Sequence, residues 1–196
     1  MLEEEREHRV EHEPPELAAK MLLLKHLPTV VNGANYEFRN LAVPCQNFAD
    51  ACNAIDDFLA TQSVQQVIKD TLHFQKYSDT ITMFLSGSDV LEAAVAAGAE
   101  TSAAVGAAGL AAAGEVAKAK VFALLDNLSN YFAEAETLKQ NLQQAYNMLV
   151  RATDKFNLRN SEIFELCESV GADTNGKTIT YPADLNQIKK TFKLFR

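Results

Sequence analysis

The chain has 196 residues, 47% hydrophobic and 22% charged, which gives enough apolar material for one folded domain and argues against wholesale disorder. A formal net charge of -8 argues against an extended nucleic-acid surface, because phosphate binding needs a basic stripe that releases counterions. Three cysteines (Cys45, Cys52 and Cys167) form no CxxC, so neither a disulfide framework nor a zinc ribbon is supported, and they read as reduced thiols in a helical core.

With only 5 Pro and 8 Gly, the turn signals that an all-β domain requires are missing. The predicted fold is all-α: an elongated, mostly antiparallel helical bundle with one long coiled-coil-like helix over about 115–153. Three regions are expected: an acidic lead-in over 1–15, a helical bundle over 16–171, and a C-terminal turn or short hairpin with a basic amphipathic helix over 172–196.

The lead-in has no apolar run of the kind a secretory signal needs, and its Glu content does not suit a mitochondrial transit peptide. A cytoplasmic protein is therefore expected. Within the lead-in, His8-Arg-Val-Glu11-His12 matches the HxxEH spacing that puts two imidazoles on one helical face beside a carboxylate base. It lies in an acidic run just before Pro14-Pro15, outside any folded context. His8 and His12 are thus weak metal candidates against the plainer reading of a solvated charge run.

From Glu16 to Val31 the spacing of Leu17, Met21, Leu24 and Leu27 predicts an apolar helix face, with Pro28 ending or kinking the helix. His26, among leucines, reads as a packed or rim residue. Asn32-Gly33 and the residues after it read as a connector with packed aromatics, Tyr36 and Phe38. Pro44 opens the next helix, with Cys45, Phe48, Ala49, Cys52, Ile55, Phe58 and Leu59 on one side and Asn47, Asp50, Asn53 and Asp56 on the other. Thr61 or Ser63 is placed to cap a further helix that begins with Val64, Val67 and Ile68.

The stretch from Leu91 to Lys120 is the chain's most unusual. Ala94, Gly98, Ser102 and Gly106 form a ladder of small residues at i,i+4 spacing, continued by Gly109. A helix with such a strip lets another backbone approach closely, so these residues are the expected interaction face. Two other readings stand beside it, a mobile linker and a membrane-inserting hairpin. The uncharged run from Thr101 to Gly114 would be about 21 Å long as a helix, short of the roughly 20 apolar residues a span needs.

Val121, Leu125, Leu128, Phe132, Ala135, Leu138 (or Lys139), Leu142, Ala145 and Leu149 then recur in steps of three and four without a Pro or Gly. Amides such as Asn127, Asn130, Gln140, Asn141, Gln143 and Gln144 line the other faces. They read first as a solvated face and second as a surface covered by a partner. Phe156 to Val170 is expected as a separate amphipathic helix with Gly171 as its C′ residue. Asn175-Gly176 is a turn, followed by a β-branched piece and a basic amphipathic end. There Ile188, Lys189, Phe192 and Phe195 are possible membrane or partner contacts.

The arrangements that reactions require are not found. The chain has no GxGxxG, no GxxxxGK[ST] and no GxSxG, and no pair of ExxH motifs of the di-iron kind. Asp56-Asp57 is a carboxylate pair that would have to converge in a cleft for acid–base work, and it reads instead as an exposed helix face. The expected function is a non-catalytic helical scaffold, adaptor or assembly subunit without a cofactor, binding protein partners or copies of itself. The alternative is a membrane-active α-helical protein, a pore-former or effector that inserts residues 91–120.

Overall fold

The computed structural model describes residues 15–72 and 119–194. Seven helices lie in this part: α1 (Pro15–Leu24), α2 (Leu27–Arg39), α3 (Ala42–Ala60), α4 (Gln62–Val67), α5 (119–129), α6 (Ala133–Ser169) and α7 (Leu185–Phe192). The π-turn Ile68–Leu72 continues α4. No strand occurs among the described residues, and the all-α class holds.

Helix α6 is the spine, 37 residues and about 55 Å long. Helices α2 and α3 lie antiparallel along it. As the chain advances from Phe38 to Phe48 to Phe58, its aromatic partner retreats from Phe156 to Tyr146 to Phe132, at centroid distances of 5.5, 6.1 and 5.8 Å. Helix α3 buries the side that the periodicity predicts: Cys45, Phe48, Ala49, Cys52, Ile55, Phe58 and Leu59 are all buried. Helix α5 folds back on the start of α6, where Asp126 accepts an ion-paired hydrogen bond from Lys139. That bond raises the Lys139 pKa.

The long helix is present, but its bounds differ from the expected 115–153. The chain leaves the helix at 130–132, where Phe132 is extended (φ -136°, ψ 118°) and caps α6. Ser129 Oγ donates to the Asp126 carbonyl at 2.5 Å, and Tyr131 N–H donates to the Leu128 carbonyl at 3.0 Å, tightening the last turn. Asn127, Ser129 and Asn130 offer the backbone such alternatives to helix, and the exit carries the Phe132 ring edge-on to Phe58. Conversely, no break occurs near Thr153. That residue is buried, its Oγ1 donates to the Val150 carbonyl at 2.9 Å, and the helix runs on through fully buried Phe156 and Ile163.

Near the N-terminus, Asn32-Gly33 lies inside α2 and is no connector. Pro28 begins α2, where its missing N–H costs nothing, and α1 has already ended at Leu24. This break uncouples Leu17 and Met21 from the buried register of Leu27. Helix α1 has no buried residue, and Leu17, Met21 and Leu22 are 46, 51 and 60% exposed. His26 is exposed in the turn, and Tyr36 is exposed while Phe38 is buried.

At the other end α6 stops as expected. Gly171 has φ +87°, its N–H donates to the Glu168 carbonyl, and Ala172 N–H donates to the Cys167 carbonyl, forming a Schellman pair. The Asn175-Gly176 turn also forms, closed by Lys177 N–H to the Thr174 carbonyl at 3.2 Å. No hairpin follows among the described residues. The chain instead lies extended with Ile179, Tyr181 and Ala183 buried and Thr178, Thr180 and Pro182 exposed. Tyr181 stacks on Phe38 (5.2 Å), meets Phe156 edge-on (5.0 Å), and donates its hydroxyl to Asn160 Oδ1 at 2.6 Å. Asn35 grips the same segment from α2: Nδ2 donates to the Ala183 carbonyl at 2.6 Å, and Oδ1 accepts from Ala183 N–H at 2.7 Å. Asp184 then caps α7, accepting from Gln187 N–H at 2.7 Å.

Candidate interaction groove

The residues flanking the buried face of α3 decide what the α3–α6 pair offers to solvent. Asn47, Asp50, Ala51 and Ala54 recur at i, i+3, i+4 and i+7, a single helical stripe. Asn141, Gln144, Ala145 and Met148 repeat that spacing on α6. The antiparallel pairing sets the stripes side by side around an open groove of about 440 Å³. Phe48 and Tyr146 hold the two helices together at this level.

Side-chain size gives the groove its form. Ala51, Ala54 and Ala145 fill little of the space between the helices, so the floor is apolar and low. Met148, 44% exposed, is the one long apolar side chain in it. The walls are amides and Asp50, whose Oδ1 accepts from Gln46 Nε2 at 2.9 Å. Asp50 is the one ionisable group in the lining, so the groove brings no acid–base pair or nucleophile together. An apolar floor two turns long between polar walls has the form that accepts the ridge of another amphipathic helix.

A second cleft, of about 430 Å³, lies where the ends of α6 and α7 meet, lined by Gly171, Ala172, Asp173, Lys177, Thr191, Phe192 and Lys193. Its lysines have an internal reason to be there. The cleft sits at two helix C-termini, whose exposed carbonyls favour cations.

The predicted site residues fare differently. His8, His12, Ala94, Gly98, Ser102, Gly106, Gly109 and Phe195 lie outside the described residues. Ile188 and Phe192 were expected as possible contacts for a membrane or partner, and this is corrected: they are 0 and 1% exposed. They plug α7 into the core, and Phe192 meets Phe164 edge-on at 5.2 Å. Lys189, between them, is half-buried.

The groove was missed as a site, although its parts were visible. Asn47 and Asp50 fell on the polar side of α3, and Asn141 and Gln144 belonged to the amide-rich face of the long helix. The signal that joins them is alanine at matching intervals in two helices, and it acquires meaning only once the pairing is known.

All three cysteines are buried and none is in a disulfide. Burial, helped by the neighbouring Glu168 carboxylate, pushes the Cys167 thiol up to about 11. Among the described residues no three His, Cys, Asp or Glu side chains gather as a metal site, and no helix is long and apolar enough to cross a membrane. Comparison with known proteins finds no match to this chain among family models, curated proteins or solved structures.

Proposed function

We propose that this protein is a non-catalytic helical scaffold or assembly subunit that binds a helix of a protein partner in the α3–α6 groove. The observation that carries the reading is the groove itself. Two aligned stripes give an alanine floor and amide walls, the form a helical ridge fits, with a single ionisable group in the lining. A cytoplasmic setting suits the cysteines: Cys45 and Cys52 are seven residues apart on one helix, about 10.5 Å, too far to bridge.

A photo-crosslinking amino acid replacing Met148 in the full chain tests this, with one replacing exposed Asn186 on α7 as the control. Irradiation in cells is expected to give a defined crosslinked protein from position 148 and not from 186. Equal labelling from both positions, or none from 148, would refute the reading.

A further inference from the structure

We infer that the occupant of the groove is helix α1 of a second copy of this chain, exchanged reciprocally in a twofold dimer. The inference rests on the reading of the groove as a helix-docking site and names its partner.

Among the described helices, α1 is the one that buries no residue. On its helical wheel Leu17, Met21 and Leu22 share one face. Lys25 joins that face, because its N–H still donates to the Met21 carbonyl at 3.2 Å. The apolar members are 46 to 60% exposed. The adjoining side is the one used at home: Leu24, one heptad on from Leu17, packs against the core, and Lys20 Nζ comes within 3.7 Å of the Cβ position of Gly171. A ten-residue helix is marginal on its own in water, and a ridge of leucine and methionine left exposed on it needs a cover.

The groove supplies the counterpart in shape and charge. Its floor is built from short side chains, so it takes a ridge of long ones. Its one charged wall residue, Asp50, faces a helix whose outward face ends in Lys25. The two features cannot meet within one chain. Lys20 marks the position of α1 beside Gly171, whereas the groove ends at Met148, about 34 Å away along α6.

Area selects the reciprocal form. One contact by a helix about 15 Å long falls short of the roughly 800 Å² per partner typical of a stable interface. Exchanging α1 in both directions doubles it. It also closes the assembly under twofold symmetry, where a one-way contact would propagate as a filament.

The test uses the full chain with a photo-crosslinker replacing Met148. Two surface variants each remove one half of the contact: Ala54→Arg blocks the groove, and Leu22→Glu spoils α1. Both positions are exposed, so folding is retained. The intact protein is expected to crosslink into a species of twice the 21.5 kDa chain mass. In sedimentation velocity each variant is expected to weaken dimerisation at least tenfold. The decisive arm combines them. A crosslinker-bearing chain with Leu22→Glu gives no crosslinked dimer alone; adding chains with Ala54→Arg returns the crosslink, because one good helix then meets one good groove, while the single remaining contact leaves sedimentation velocity short of the intact dimer.

A dimer that survives Leu22→Glu, or no rescue on mixing, would overturn the proposal. A crosslink only to a different protein would overturn self-pairing and leave the groove as a docking site, whereas no crosslink at all would overturn both. Flotation with phosphatidylcholine–phosphatidylserine vesicles that Leu22→Glu abolishes would also overturn it, by giving α1 to a membrane.

Discussion

Replacing Asn35 with Ala removes both arms of the clasp that joins α2 to the extended segment 148 residues further on. Ala183 is 7% exposed, so its N–H and C=O lose their partners where water reaches poorly. Each orphaned group costs about 1–3 kcal/mol, and partial rehydration leaves an expected loss of about 2–5 kcal/mol. That is a large share of the roughly 5–15 kcal/mol by which domains are stable. Urea denaturation measures the loss, and hydrogen exchange at the Ala183 amide locates it. Asn35→Asp adds a test of geometry. It keeps the acceptor for Ala183 N–H but sets an anionic oxygen against the Ala183 carbonyl, so at neutral pH it should be at least as harmful as Ala. A loss below about 0.5 kcal/mol, or unchanged protection at Ala183, would refute the clasp.

Three further outcomes are expected. Gly171→Ala should cost about 1–2 kcal/mol in thermal or urea unfolding: the φ of +87° is strained for a residue with a Cβ, while the nearest atom, Lys20 Nζ at 3.7 Å, leaves room for the methyl. Phe156→Ala, at a fully buried ring between Phe38 and Tyr181, should cost about 3–5 kcal/mol and lower the exchange protection of 179–183. Stability should fall as pH rises from about 9 through 11. Burial raises the folded pKa of the Cys167 thiol from 9.0 to about 11, and raises that of the Tyr181 phenol above its usual 10, so the folded chain holds protons that the unfolded chain has released. Cys167→Ala should remove part of that alkaline slope, measured by urea midpoints between pH 8 and 11.

Sequence periodicity was informative where one helix face meets one core, as on α3, and where a residue's backbone chemistry dictates a stop, as at Gly171. It failed where tertiary packing decides. Nothing local shows that buried Phe156 and Ile163 carry the helix past Thr153, or that Phe132 leaves it to reach Phe58. Asn35 looked like part of a connector because its amide partner, Ala183, is so far away in the chain. Ile188 and Phe192 looked like free apolar contacts for the same reason: both belong to the core, and Phe192 meets Phe164 on α6, which helical spacing within α7 cannot reveal. The groove combines both cases, since each stripe is legible in one helix but the trough belongs to the pair.

Alanine also explains how the groove can remain open in a folded chain. An exposed alanine methyl gives up little transfer free energy and no side-chain entropy, whereas a leucine at the same place would press for cover with about 1.5–3 kcal/mol. The α3–α6 pair can therefore fold with Ala51 and Ala54 uncovered, and the energy of docking has to come from large side chains on the guest helix. Folding and binding should then separate under one substitution. Ala54→Leu adds apolar volume to the lip of the groove without removing any contact of the core, so the urea midpoint should shift by no more than about 0.5 kcal/mol in equivalent stability. The same leucine occupies space that a guest ridge needs, so crosslinking from position 148 should fall sharply. If Ala54→Leu left crosslinking intact, the occupant would not be seated between these helices. If it lowered stability by more than about 1 kcal/mol, the space would already be filled, and the open groove would be the wrong description.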